Sequence, residues 1–88
     1  MSGPTVIATI PKNSHEWVRV ALNEYRGVNL IDIRVLVELN RKTALPVPTG
    51  KGVSLKIEKL PELIEALNDA LVEAQRLGLI GESEVAAA

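Results

Sequence analysis

Alternating apolar and polar residues predict strands over the first two thirds of the chain. In residues 16–23 and again in residues 28–39, apolar side chains recur at every second position. They are Val18, Val20 and Leu22 in the first run and Ile31, Ile33, Val35, Val37 and Leu39 in the second. A period of two is typical of a half-buried strand. Gly27, between the runs, can take the positive φ of a tight hairpin turn, so we expect two paired strands.

Two shorter segments complete the predicted sheet. Residues 52–57 alternate, and residues 5–10 are rich in β-branched side chains and are followed by Pro11. The segment between the second and last strands, residues 40–52, holds two prolines and two glycines, which favours a loop. This predicted loop is basic, because it carries Arg41, Lys42 and Lys51.

After residue 59 the apolar period changes to that of an amphipathic helix. Residues 60–77 place leucine, isoleucine and alanine on one stripe, with Pro61 in the first turn and Gly78 as a stop. We therefore expect an α+β fold, a curved four-stranded antiparallel sheet followed by one amphipathic C-terminal helix. One domain is predicted over residues 1–78, with a flexible tail over residues 79–88.

Composition removes several function classes. The chain has 88 residues, no cysteine and one histidine, which is too few ligands for zinc or iron–sulfur sites and leaves no thiol nucleophile. Asp32 and Glu38, six residues apart on one strand, are about 20 Å apart, too far to act together on one bond. We expect no enzyme activity, no metal and no cofactor. With no stretch of about 20 apolar residues, we also expect a soluble intracellular protein that does not span a membrane.

Charge is distributed unevenly along the chain. Residues 1–57 carry eight basic and four acidic side chains, a net charge of +4, whereas residues 58–88 carry two basic and seven acidic ones, a net charge of −5. The basic part could bind a polyanion while the acidic part faces water. An acidic helix face is equally typical of an ordinary solvated helix.

Three short strings, in this order and ahead of the helix, carry a resemblance to a known family. They are Asn-Glu-Tyr-Arg-Gly at 23–27, Leu-Ile-Asp-Ile-Arg at 30–34 and Gly-Lys-Gly-Val-Ser-Leu at 50–55. The chain resembles the single-stranded-DNA-binding domain of transcriptional coactivator positive cofactor 4 over about residues 17–75. The resemblance implies a homodimer whose helices pack between subunits, with two channels that hold single strands in opposite directions.

The resemblance also implies roles for individual residues. Tyr25 matches a base-stacking aromatic and Arg26 a contact to the nucleic-acid backbone, while Arg34, Lys51 and Gly52 match further binding positions. Arg19 joins them as a base of the same sheet region, and the helix residues Leu63, Leu67 and Leu71 are expected in the dimer interface. Other interpretations stay open. Tyr25 could shield the edge of the core, Arg26 could pair with Glu24, Arg34 could pair with Asp32, and Trp17 is expected to be a packing or dimer-contact residue.

Four positions depart from the family pattern. Val37 stands where the family has its second stacking aromatic, and Asn23, Val28 and Gly50 stand where the family has basic residues. The expected function is binding of single-stranded DNA, or RNA, in preference to duplex and largely independent of sequence, by a homodimer that acts in transcription, replication or repair. The expected location is the cytoplasm or nucleoid for a prokaryotic or viral protein, or the nucleus for a eukaryotic one. The alternative is a dimeric protein-interaction module of the same fold with little affinity for nucleic acid.

Overall fold

Four antiparallel strands in sequence order form one sheet. The computed structural model describes residues 3–39 and 45–81. The strands are β1 (Thr5–Pro11), β2 (Glu16–Tyr25), β3 (Val28–Glu38) and β4 (Pro46–Lys56), and each pairs with the next. The predicted four-stranded antiparallel sheet is therefore confirmed. Arg41 and Lys42 of the predicted basic loop lie outside the described residues, as do residues 82–88 of the predicted tail.

The prediction of a loop over residues 40–52 was wrong for residues 46–52, which belong to β4. Pro46 pairs with Glu38 and Pro48 with Leu36. Because β4 is an edge strand with a partner on one side only, every second backbone N–H faces away from β3, and proline is tolerated at those positions. Prolines and glycines would interrupt a strand in the middle of a sheet, but they are compatible with an edge strand such as β4.

A bulge accommodates the glycine-containing part of β4. The pairing register shifts between Arg34 and Leu36, so Val35 faces three residues of β4 instead of one. The Thr49 hydroxyl donates to the Val35 carbonyl at 2.8 Å and accepts the Lys51 backbone N–H at 3.1 Å. These two hydrogen bonds satisfy backbone groups that the interrupted ladder leaves free.

The hairpin between β2 and β3 is a two-residue turn. Arg26 has φ 51° and Gly27 has φ 80°, so both central residues lie in the left-handed region. A turn of this kind matches the twist of the flanking strands. The predicted role of Gly27 is confirmed, and Arg26 adopts a conformation that favours glycine or asparagine.

The strand register divides the sheet into two faces. The polar face carries Trp17, Arg19, Ala21, Asn23, Tyr25, Val28, Leu30, Asp32, Arg34, Leu36, Glu38, Ser54 and Lys56. The apolar face carries Val18, Val20, Leu22, Ile31, Ile33, Val35, Val37, Val53 and Leu55. Among the described residues, the buried side chains are Ala21, Asp32 and Leu36 on the polar face and Ile31 on the apolar face. On the apolar face, Leu22 and Val53 remain exposed in the single chain.

The chain divides into two compact units, the sheet unit (Met1–Ile57) and the helix unit (Glu58–Ala88). A 3-10 turn (Ile57–Lys59) leads into α1 (Leu60–Arg76), which has a proline in its first turn. After the helix, Gly78 takes φ 75°; its N–H bonds the Gln75 carbonyl, and the Leu79 N–H bonds the Ala74 carbonyl. This pair of bonds is a Schellman motif, which confirms Gly78 as the predicted stop. The single domain over residues 1–78 and the flexible tail stay predictions.

Candidate nucleic-acid interface

A hydrogen-bonded cluster occupies the centre of the polar face. Asp32 is only 5% exposed, and its Oδ1 accepts from Arg34 Nη2 at 2.6 Å and from the Ser54 hydroxyl at 2.5 Å. The Ser54 oxygen in turn accepts from Arg34 Nη2 at 3.2 Å, and Arg34 Nη1 reaches the Gly50 carbonyl at 3.3 Å. The cluster therefore ties β3 to β4 through side chains in addition to the backbone ladder.

Arg19 contributes a second guanidinium to this cluster. It lies directly opposite Arg34 in the β2–β3 register, and its Nη2 is 3.8 Å from Asp32 Oδ2. Like charges in opposed positions of a sheet destabilise it, and the carboxylate between them offsets that repulsion. Two guanidinium groups share one carboxylate, so the cluster keeps a net positive charge. Arg19 Nε is buried and has no hydrogen-bond partner within the described part of the chain.

Asp32 stays ionised because its partners favour the charged form. The hydrogen bond from Arg34, with help from Ser54 and the two guanidinium charges, lowers the pKa of Asp32 although burial opposes the shift. The same hydrogen bond raises the pKa of Arg34. The interpretation in which Arg34 pairs with Asp32 is thus the observed arrangement. Most of the Arg34 donors are engaged inside the sheet.

Gly52 allows β4 to pass close to this cluster. It pairs with Arg34, and a Cβ at position 52 would collide with the Ile33 carbonyl oxygen and come within 3.0 Å of Arg34 Cα and Cζ. The φ of Gly52, 157°, is also one that other residues rarely adopt. A glycine is therefore needed at position 52 so that the β4 backbone can pass close to β3 beneath the Arg34 side chain.

An exposed aromatic and a base stand at the other end of the polar face. Tyr25 ends β2, and 61% of its surface is exposed. The Arg26 guanidinium carbon lies 5.1 Å from the centroid of the Tyr25 ring, within cation–π distance. Tyr25 and Arg19 are six residues apart on one strand, about 20 Å. The predicted site residues on the polar face therefore form two groups, a closed central cluster and an open hairpin end.

Comparison with known proteins identifies the family of this sheet and helix. A family model described as transcriptional coactivator p15 (PC4) matches residues 12–66, more than half of the chain. The chain belongs to the PC4 family. Among curated proteins, none matches the chain.

Solved structures of PC4 relatives share the fold. A PC4 homolog from Burkholderia pseudomallei, in its tetragonal crystal form, is 29% identical with a TM-score of 0.69, and the match covers 77% of this chain and 97% of that one. Its orthorhombic form gives 30% identity and the same TM-score, over 80% and 92% of the two chains. A bacteriophage T5 homolog of PC4 is 24% identical with a TM-score of 0.66 over 99% of both chains, which bears on the fold alone.

The strand register and the exposure of each side chain locate the other positions discussed with the PC4 resemblance. Val37 pairs with Glu16 and Val47 and so lies on the apolar face, away from Tyr25. Lys51 is exposed beside the β4 bulge. Trp17 lies on the polar face, opposite the buried Leu36.

Lys56 is a basic residue of the polar face that the sequence interpretation missed. It lies opposite Leu30, which itself lies opposite Asn23, so it stands two residues from the hairpin end. Its exposed side chain adds positive charge between the two groups of the polar face. The alternation in β4 contained this signal, because the residues between the apolar ones must share a face with Arg34.

Within residues 3–39 and 45–81, no three His, Asp or Glu side chains are grouped as metal ligands. The part of the chain that the structure describes also contains no helix long and apolar enough to cross a membrane.

Proposed function

We propose that this PC4-family chain binds single-stranded DNA in preference to duplex on the polar face of its sheet, as a homodimer. The observation that carries the proposal is the exposed Tyr25 ring at the end of a face that has a net positive charge. The charged residues of that face are the bases Arg19, Arg34 and Lys56 and the acids Asp32 and Glu38. Sequence-tolerant single-strand binding needs an aromatic surface for a base and cations along the phosphates. Arg19, Lys51 and Lys56 supply cations on or beside that face. The matching family model is described as a transcriptional coactivator, and the B. pseudomallei relative, at 29% identity, is described as a PC4 homolog. By this family membership we assign the chain to transcription, replication or repair.

The dimer is supported by apolar surface that the single chain leaves in water. In α1, Leu63, Leu67 and Leu71 lie on one stripe, and Leu67 is 57% exposed. A second copy of the chain would bury this stripe, at about 25 cal/mol for each Å² of apolar surface removed from water. We assign the three leucines to the subunit interface.

Titration of a labelled oligothymidylate and of a duplex of equal length tests the binding proposal. We expect the single strand to bind more tightly, with an affinity that falls as salt rises, at a slope of about 0.7 for each phosphate contacted. Tyr25→Ala should weaken single-strand binding by about 1–3 kcal/mol, whereas Tyr25→Phe should bind nearly as the wild type because the ring carries the stacking. Leu79→Ala, which truncates an exposed side chain of the helix unit, is the control and should change neither binding nor melting.

Equal binding of both ligands, or binding independent of salt, would contradict the proposal. A lower melting temperature for Tyr25→Ala with unchanged affinity would assign Tyr25 to the edge of the core instead.

Two substitutions of similar exposure test the interface. Val72 is 63% exposed but lies about 140° around the helix from the centre of the leucine stripe. Leu67→Glu should therefore dissociate the dimer, and Val72→Glu should leave the mass measured by light scattering unchanged. A wild-type mass near that of one 9.5 kDa chain would refute the dimer.

A protein-interaction module is the second candidate function. It is favoured by the central cluster, where Arg34 donates hydrogen bonds to Asp32, Ser54 and Gly50. Few N–H groups of Arg34 therefore remain to bind a phosphate. Failure of the wild-type protein to retard any single strand, together with a stable dimer, would support this candidate.

A further inference from the structure

The hairpin end combines an unfavourable backbone conformation with a specific side-chain contact. Arg26 takes φ 51° in a two-residue turn whose first central position favours asparagine or glycine. Left-handed backbone costs an ordinary residue about 1 kcal/mol or more. An arginine at this position is therefore unfavourable for the backbone of the turn. The contact that its side chain makes with the Tyr25 ring offsets this cost.

That side chain covers one face of Tyr25. Consecutive residues of an extended strand point to opposite faces, so Arg26 can lie over the preceding ring only because the chain turns at this point. The guanidinium carbon is 5.1 Å from the ring centroid. One face of the ring is therefore occupied by a cation, although 61% of the residue remains exposed.

We propose that Arg26 is a positioning residue that caps one face of Tyr25 and makes the ring a one-sided platform for a single base. The proposal rests on the proposed function, and it gives Arg26 a role different from contact with the nucleic-acid backbone. The cation holds the ring across the turn, and the base stacks on the opposite, open face. Tyr25 then accepts one base in each subunit and does not insert between two.

A cap and a phosphate contact differ in their salt dependence. Removal of a phosphate contact lowers the slope of log affinity against log salt by about 0.7, because fewer counterions are released. Removal of the cap weakens binding only because the Tyr25 ring is no longer held in place. It should leave the slope of log affinity against log salt unchanged, and it should have no effect in a variant that lacks the ring.

A double-mutant cycle with a salt series separates the two roles. The proteins are the wild type, Arg26→Gln, Tyr25→Ala and the double variant, each titrated with a labelled oligothymidylate. We expect Arg26→Gln to weaken binding about two- to fivefold at an unchanged salt slope. In the Tyr25→Ala background the same substitution should have no effect, and Arg26→Lys should restore part of the affinity.

Lys51→Gln is the matched control, because Lys51 is exposed and the cation over the Tyr25 ring is Arg26. It should lower the salt slope and act equally with and without the ring. A measurement without ligand completes the test. The side-chain methylene protons of Arg26 should show an upfield ring-current shift in the NMR spectrum that disappears in Tyr25→Ala.

Additive effects of Arg26→Gln and Tyr25→Ala, or a reduced salt slope for Arg26→Gln, would overturn the cap and leave the proposed function standing. Absence of the upfield shift in the free protein would also overturn it. Failure of the wild-type protein to bind the single strand is a separate result, which would overturn the proposed function and with it the cap.

Discussion

Two arginines of the sheet unit, Arg34 and Arg26, each lie beside a possible partner, yet their surroundings differ completely. Arg34 lies in the middle of β3, and its donors reach the buried Asp32, the Ser54 hydroxyl and the Gly50 carbonyl. Arg26 lies in a turn and covers an exposed aromatic ring. In the first case the charge is used to hold strands together, and in the second it is presented to solvent with the ring.

This difference shows why a count of basic residues is a poor guide to a nucleic-acid site. A guanidinium whose donors are already engaged must break those bonds before it can bind phosphate. An exposed cation with free donors needs no such exchange. We therefore expect substitutions in the central cluster to act mainly on stability and substitutions at the hairpin end mainly on binding.

The largest effect is expected for Asp32→Ala. This change leaves Arg19 and Arg34 opposite each other without the carboxylate between them. Removal of one partner of a buried ion pair costs about 3–5 kcal/mol, and we expect the lower end because about a fifth of each guanidinium side chain is exposed. Urea unfolding at fixed protein concentration measures the loss.

Asp69→Ala removes an exposed carboxylate of α1 and serves as the control for the same measurement. Its free energy of unfolding should stay within about 0.5 kcal/mol of the wild type. Equal values for Asp32→Ala and Asp69→Ala would show that the central cluster does not stabilise the sheet.

A smaller effect of the same cluster should appear in the pH dependence of stability. Because the pKa of Asp32 is lowered in the folded protein, its pairing stabilises the fold fully above the ordinary carboxyl value of 3.8. This contribution is lost as the pH falls through the lowered folded-state pKa. Thermal unfolding between pH 2 and pH 6 should show a steeper acid loss for the wild type than for Asp32→Asn. Parallel curves would argue against the pairing.

Much of the fold could be predicted from the sequence, because alternation and the helical period reflect burial directly. The positions of β2, β3, α1 and the Gly27 turn follow from local pattern alone. The first half of β4 could not be predicted in this way, because the tolerance for Pro46 and Pro48 depends on β4 being an edge strand, which is a property of the whole sheet.

The candidate site divides in the same way. Tyr25 and Arg26 are neighbours in a turn, so a short string can mark them. The commitment of Arg34 to Ser54 and Gly50 depends on the β3–β4 register and its bulge, which pair residues 16 and 20 positions apart. Lys56 was visible in the alternation of β4, but its nearness to the hairpin end depends on the register of three strands.

An intermediate effect is expected for Gly52→Ala. The new Cβ would collide with the Ile33 carbonyl and press on Arg34, so β4 must move away from β3 or the guanidinium must leave its bonds. Overpacking of this kind costs about 1–3 kcal/mol. Gly50→Ala is the matched control, because nothing lies within 4 Å of a Cβ at that position. Equal melting temperatures for the two variants would show that close approach at Gly52 is unimportant.

The smallest effect on stability, and the one that separates the two regions most clearly, is expected for Arg26→Asn. Asparagine tolerates the left-handed conformation and forms the favoured Asn-Gly turn with Gly27, so the free energy of unfolding should rise by about 1 kcal/mol. The same substitution removes the cation over Tyr25, so affinity for a single strand should fall. Urea unfolding and oligonucleotide titration of one preparation would measure both.

A variant that is more stable and binds less tightly would show that Arg26 serves binding at the expense of the turn. A variant that is less stable would mean that its contact with the Tyr25 ring outweighs the backbone cost, which would make the hairpin end a structural element like the central cluster.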